Sequence, residues 1–404
     1  MVRVGPSGPA VVAAGTRADL AAHPDASGAE TLDLSGHILM PGLVNAHAHL
    51  DLTAVGPQPR ASGQAFPDWL NGVRLARRDD AEGITEAVEM GIRASLAGGV
   101  VAVGDIAGRS RTEPLRALDR SPLEGVSYLE AFGLGDRQPA AIAALDAAVE
   151  SCSHSPPARI AVGLSPHAPY STGADIYEHI ARKPAVPRCT HLAECPEERR
   201  MVCHGDGPMR DFFESVGAWG DLAGTHFGGH ASPVAMAMRW IARDPWLLAH
   251  VNDCSDDDLR ALATTSCSIA YCPRSSAYFE NHIAFGPHRY REMIAAGINV
   301  ALGTDSVLNL PPGPESERIS TLDEMRFLFR RDGTDPRLLV RMATTNGARA
   351  LGMDPARFTL APGPVAGIVA VPVDRATRGF DPAERIARSE GAPTLIWPRV
   401  VGES

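Results

Sequence analysis

The sequence predicts an α/β protein: a closed (β/α)8 barrel of the TIM type, with a small β-sandwich-like module formed by the two chain ends. Three observations predict it. Eight short apolar runs recur through the middle of the chain, amphipathic stretches separate them, and strand-like pieces cut by glycine and proline lie at both ends.

The runs are LMPGLVNAH (39–47), VVAVGDI (100–106), VSYLEAF (126–132), RIAVGLS (159–165), VPRCTHL (186–192), WLLAHV (246–251), CSIAYC (267–272) and INVALGT (298–304). Each has the length of a buried strand. Between them, segments such as ITEAVEMGIRASLAGG (84–99), AAIAALDAAVE (140–150), DDDLRALATT (256–265) and PHRYREMIAAG (287–297) repeat apolar residues at helical spacing. The rival is an open doubly wound sheet. That fold carries fewer strands and an early phosphate loop, and no G-x-G-x-x-G follows the first run. At the ends, VVAAG (11–15), TLDLSG (31–36) and PGPVAGIVAVPVD (362–374) read as strand. Residues 1–38 with 355–404 are expected to form the small module, and 39–354 the barrel.

The chain has 404 residues, 44% hydrophobic and 21% charged, with net charge −10. An acidic balance argues against nucleic acid as a partner. No apolar run reaches the roughly 18 residues of a membrane span, and no secretion signal is legible. Seven cysteines without a C-x-x-C pair point to a reducing, cytoplasmic setting.

Several runs end in His or Asp, and strand C-terminal ends converge on one mouth in such a barrel. His47 and His49, two apart on a strand, point to one face. His191, with Glu194 three residues on, ends the fifth run, His250 the sixth and Asp305 follows the eighth. A mixed imidazole and carboxylate set suits Zn²⁺, or Fe²⁺ in a similar geometry. His204, His226 and His230 read as loop residues, and Cys189, Cys195 and Cys203 match no zinc spacing. Asp105 ends the second run, either lining the pocket or serving as a structural hydrogen-bond acceptor.

The segments PGLVNAHAHLDL, HLAE (191–194), LLAHVND (247–253) and LGTDS (302–306) resemble the amidohydrolase superfamily. GLSPHAPYS (163–171) and CPRSSAYF (272–279) make the resemblance closest to its deaminase and chlorohydrolase branch, which includes guanine, cytosine, adenosylhomocysteine and aminofutalosine deaminases. The resemblance implies that His47, His49, His191 and Asp305 hold one divalent metal, most simply Zn²⁺. It implies that Glu194 shuttles protons, that His250 and Asp305 orient and deprotonate the attacking water, and that His167 and Trp69 contact substrate. It also implies a homodimer or larger homo-oligomer.

The activity implied is hydrolytic deamination of an amino-substituted heteroaromatic ring, a purine-type base or a modified adenosine, with release of ammonia. The alternative is a chlorohydrolase or cyclic-amide hydrolase using the same site. A non-catalytic barrel would have lost a ligand or the shuttle, and here every position is filled. Binuclear relatives bridge two ions with a carboxylated lysine. The one lysine, Lys183, precedes the fifth run, so a single ion is expected.

FPDWLNGVRLARR (66–78) resembles a stretch that in adenosylhomocysteine-type deaminases places a glutamate on the ribose. Here Arg77 and Arg78 stand near that position. Arg78 and Arg274 could therefore bind an anionic group on the substrate, since guanidinium grips carboxylate in bidentate fashion. Pairing with surface acids such as Asp79 and Asp80 is the other reading.

Overall fold

The computed structural model describes residues 1–5, 8–220 and 223–398. The expected module extends to 404, so its last six residues lie outside the described residues. The fold is α/β with two four-stranded sheets, parallel throughout. Among the described residues, fourteen strands are numbered in chain order. From the N-terminal end come β1 (Val2–Gly5), β2 (Gly8–Val11) and β3 (His37–Pro41).

The first parallel sheet orders β4 (Leu43–Ala48), β5 (Val100–Ala107), β6 (Glu124–Ala131) and β7 (Ile160–Pro166). The second orders β8 (Cys189–Leu192), β9 (Leu247–His250), β10 (Ser268–Tyr271) and β11 (Asn299–Leu302). Each of the eight apolar runs contributes one of these strands. Every residue of β4 and β5 is buried, which is why they read as continuous apolar runs rather than as alternating ones.

The sheets face each other across one apolar cluster that includes Ala46, Ala102, Tyr128, Cys189, Leu247, Ala270 and Ala301. Single bridges join their edges, Ala48 with Asp305 and Leu164 with Arg188. Helices between the strands cover the outside. Asp80 caps the helix Ala81–Ala97 through a 2.7 Å bond from the Gly83 amide, and Gly98 ends it. Gly99 then takes φ +78° to turn the chain into β5.

The first run holds two strands, because Gly42 breaks it. β3 leaves the parallel sheet to pair antiparallel with β13 (Ile368–Pro372), which also pairs β14 (Thr394–Trp397). β2 pairs with β1 and with β12 (Gly363–Pro364). Two sheets thus combine strands from both ends of the chain. TLDLSG (31–36) is not a strand, since its residues lie outside both sheets, and of VVAAG only Val11 is. Among the described residues, no helix is long and apolar enough to cross a membrane.

Candidate metal centre

The strand ends bring together four imidazoles and two carboxylates drawn from β4, β8, β9 and the turns after β4, β8 and β11. Donor atoms of His47, His191 and His250 lie within 4.8 Å of one another, as do those of His47, His49 and Asp305, and those of Glu194, His250 and Asp305. His49 Nε2 stands 3.1 Å from His191 Nε2, and Asp305 Oδ1 lies 3.6 Å from His49 Nε2 and 3.9 Å from His47 Nε2. Two nitrogens on one tetrahedral ion, with bonds of ~2.0–2.1 Å, sit about 3.3 Å apart.

The unmet polar atoms of the donor set match what a metal ion needs. His47 is fully buried, and neither its Nδ1 nor its Nε2 has a hydrogen-bond partner. An unmet buried donor or acceptor costs ~1–3 kcal/mol, a cost that an ion bound by the ring offsets. His191 Nδ1 donates to the carbonyl of His167 at 2.9 Å, which leaves its Nε2 lone pair facing the centre. Burial holds His47 and His49 well below the usual imidazole range, and His191 at about 4, the neutral form a metal requires. The residues fit a divalent cation.

Backbone strain marks the same place. Ala193, His250, Val251 and Asp305 all have φ between 51° and 73°. Gly303 supplies the close approach between β11 and β4, because a Cβ there would lie 2.9 Å from both His47 Cβ and Cys272 Sγ. Asp305 is held through Oδ2 by Ser275 Oγ at 2.7 Å and by Asn309 Nδ2 at 2.6 Å.

Glu194 is buried, and its Oε1 lies 3.4 Å from His250 Nε2. Tyr170 OH donates to its Oε2 at 3.2 Å. Burial, then the carboxylates of Asp305 and Glu198, push the Glu194 carboxyl well above its usual range. Glu198, on the helix Pro196–His204, accepts from the amides of Ala193 at 3.1 Å and Glu194 at 2.6 Å, so it fixes the turn that presents Glu194. His167 stacks on Phe132 at 4.4 Å and pairs through Nδ1 with the Ser171 hydroxyl. Nearby, Phe66, Trp69, Tyr170 and Phe279 form an aromatic group, and Phe66, Phe279 and Cys195 line a cleft of about 270 Å³. Trp69 is half-buried in this group and donates from its indole to Tyr278 OH at 2.9 Å.

The two arginines expected to meet an anionic group are placed differently. Arg78 is exposed beside Asp80. It is the neighbouring Arg77 that turns inward to Asp51, with Nε 3.0 Å from Oδ2. The helix Phe66–Ala76 ends just before this pair, Arg77 is extended, and successive extended residues point to opposite sides. Arg274 is 7% exposed and donates from Nε to Glu324 at 2.5 Å, so its pairing is interior and its charge is partly spent. Asp105 is fully buried and accepts from the Leu50 amide at 3.1 Å, the structural alternative of the two readings. Lys183 pairs with Asp146 at 2.8 Å in a groove between helices.

His288, Glu198, Asn309 and Glu130 had no signal in the sequence. Each acts through contacts made only in the folded chain. Glu130 ends β6 with an unpartnered Oε1, 3.9 Å from His191 Nδ1 and 4.0 Å from His167 Nε2.

Comparison with known proteins agrees with the fold. The chain is 29% identical over 360 residues to an aminodeoxyfutalosine deaminase of Deinococcus radiodurans, covering 85% of this chain and 81% of that one. It is 26% identical over 372 residues to a 5-methylthioadenosine/S-adenosylhomocysteine deaminase of Symbiobacterium thermophilum, covering 87% and 77%. Among solved structures, the atrazine chlorohydrolase TrzN of Arthrobacter aurescens TC1, complexed with zinc, superposes with TM-score 0.72 at 20% identity, covering 96% of this chain and 86% of that one. Residues 38–389 match the model of the amidohydrolase family, and the chain belongs to that family.

Proposed function

We propose that this protein is a mononuclear, zinc-dependent aminohydrolase that removes the amino group from the purine-type ring of a modified adenosine. The observation that carries the reading is the buried convergence of His47, His49, His191 and Asp305 with Glu194 and His250 beside them. The deaminase relatives at 29% and 26% identity support the reaction. The chlorohydrolase alternative is supported by a likeness of fold at 20% identity. We propose further that the eight strands β4–β11 close into one barrel, which the two edge bridges support, with the end strands forming a small module beside it.

His47, His49, His191 and Asp305 would hold the ion. When bound, a divalent metal lowers the pKa of water toward ~7 and so supplies a nucleophile at neutral pH. Glu194, kept protonated by burial and its acidic neighbours, delivers its proton to a ring nitrogen of the substrate as the ring carbon is attacked. The His250 ring is neutral, its pKa held to about 3 by burial and His288, and it serves as a proton acceptor with Nε2 facing Glu194 Oε1. Tyr170 orients the Glu194 carboxyl from its other oxygen. The aromatic group of Phe66, Trp69 and Phe279, packed tilted and edge to face, offers an apolar wall for a heterocycle.

The test is ammonia release by metal-loaded protein from 5′-methylthioadenosine, S-adenosylhomocysteine, aminodeoxyfutalosine, guanine and cytosine. Turnover of a nucleoside supports the reading. Release of chloride from a chlorotriazine, or opening of a lactam, with no ammonia from any amine would overturn it.

A further inference from the structure

A second cavity, of about 960 Å³, lies beside the centre, between the segment 58–60, the helix Pro273–Tyr278, the loop 309–318 and the helix Thr321–Asp332. Five arginines line it, against three acids. The acids are largely committed or exposed. Asp323 is gripped by Arg318 Nε at 2.8 Å and by Arg326 Nη1 at 3.2 Å, while Glu390 is exposed and the Glu315 side chain is 54% exposed.

The cationic side has unspent capacity. Arg274 is more than nine-tenths buried, and its Nε is taken by Glu324, yet Nη1 and Nη2 have no hydrogen-bond partner. Asp323 also acts on it, and half-exposed Glu315 forms a loose ion pair with Nη1 at 3.6 Å. Arg326, 2% exposed, keeps an unpartnered Nε, as does Arg60. Arg330 is exposed at the rim. A guanidinium with one edge paired and the other free is a ready fork for a planar or tetrahedral oxyanion.

We propose that this cavity is a binding site for a small anion, a carboxylate or phosphate group, seated on the free edge of Arg274 with Arg330 at the rim. The site communicates with the metal centre. Asn309 lines the cavity and donates to Asp305 Oδ2, and Ser275, the residue after Arg274, donates to the same oxygen. The anion comes either from one end of the substrate or from a free ion.

The test titrates inorganic phosphate, and separately succinate, into the metal-loaded full chain by calorimetry. The expected result is one saturable site per chain, with about tenfold weaker binding for Arg330→Gln and none for Arg274→Met. Arg330→Gln guards against misfolding, because Arg330 is exposed, whereas Arg274→Met strands Glu324. No saturable binding up to about 10 mM would overturn the proposal. Undiminished binding in folded forms of both variants would place the anion on the metal and overturn it as well. Steady-state kinetics with anionic aminodeoxyfutalosine and with neutral 5′-methylthioadenosine then separate the sources. Phosphate that competes with the anionic substrate and not with the neutral one assigns the site to the anionic end of a substrate, competition with neither assigns it to a free ion, and competition with both places the anion on the metal and overturns the proposal. Only that assignment rests on the deaminase reading; the calorimetry stands without it.

Discussion

His288 donates from Nε2 to the backbone carbonyl of His250 at 2.9 Å, while its Nδ1 accepts from the Tyr290 amide at 3.0 Å. Its ring stacks on Tyr271 with centroids 3.7 Å apart. His250 has φ +73°, a conformation that an L-residue keeps only when its surroundings impose it. His288 is thus a positioning residue for His250. His288→Phe keeps the stack and removes the bond, worth ~1 kcal/mol, so kcat should fall about fivefold to tenfold. KM and metal content should stay unchanged. An unaltered kcat in the folded variant would remove His288 from the site.

Glu194→Gln removes the transferable proton while preserving the shape and the bond from Tyr170. General acid catalysis contributes ~10²–10⁴-fold, and kcat should drop by that factor with the metal retained. Tyr170→Phe loses only the orienting hydroxyl and should cost far less. A Glu194→Gln variant with near-normal turnover would require another proton carrier.

Chelation tests the ligand set directly. The metal-free protein keeps buried imidazoles such as His47 without partners, so removing the ion should abolish turnover and lower Tm. Restoring zinc should recover both, at one ion per chain by elemental analysis. Two tightly held ions per active chain would contradict the single-ion reading, which rests on Lys183 pairing with Asp146.

Much of this was legible in the sequence because chemistry and topology coincide there. The pair His47 and His49, then His191, His250 and Asp305, each close an apolar run, and a strand end can be read locally. What supports them could not be read. Glu198 meets Glu194 through backbone amides, Asn309 meets Asp305 across a turn, and His288 reaches a carbonyl 38 positions away. The placement of Arg78 could not be read for a related reason. Which of Arg77 and Arg78 faces inward depends on the residue at which the preceding helix stops, and sequence fixes such ends only to within a residue or two. The terminal strands were misplaced at TLDLSG because alternation of apolar residues cannot tell a strand from an extended loop lying outside any sheet.

The inward turn of Arg77 has its own consequence. Its guanidinium pairs with buried Asp51, and Asp105 and Glu130 stand near enough to raise its pKa. Breaking a buried pair by removing one partner costs ~3–5 kcal/mol, so Arg77→Met should destabilise the protein by that amount in denaturant titration. Exposed Arg78→Met should stay within ~0.5 kcal/mol of wild type, with KM unchanged. A large rise in KM for Arg78→Met would restore it as a substrate contact.

His226 makes a pH prediction away from the metal ligands. Its Nε2 is buried without a partner, and burial with Arg239 nearby lowers its pKa from 6.5 to about 4. The unfolded chain therefore takes up a proton between pH 6.5 and 4 that the folded chain refuses. The stability this neutral ring contributes is complete above pH 6.5 and is lost as pH falls toward 4. For a shift of that size the loss amounts to about 2 kcal/mol between pH 7 and pH 5. His226→Gln removes the titration, so its unfolding free energy should fall less over the same interval. Parallel curves for the two proteins would show that His226 titrates normally.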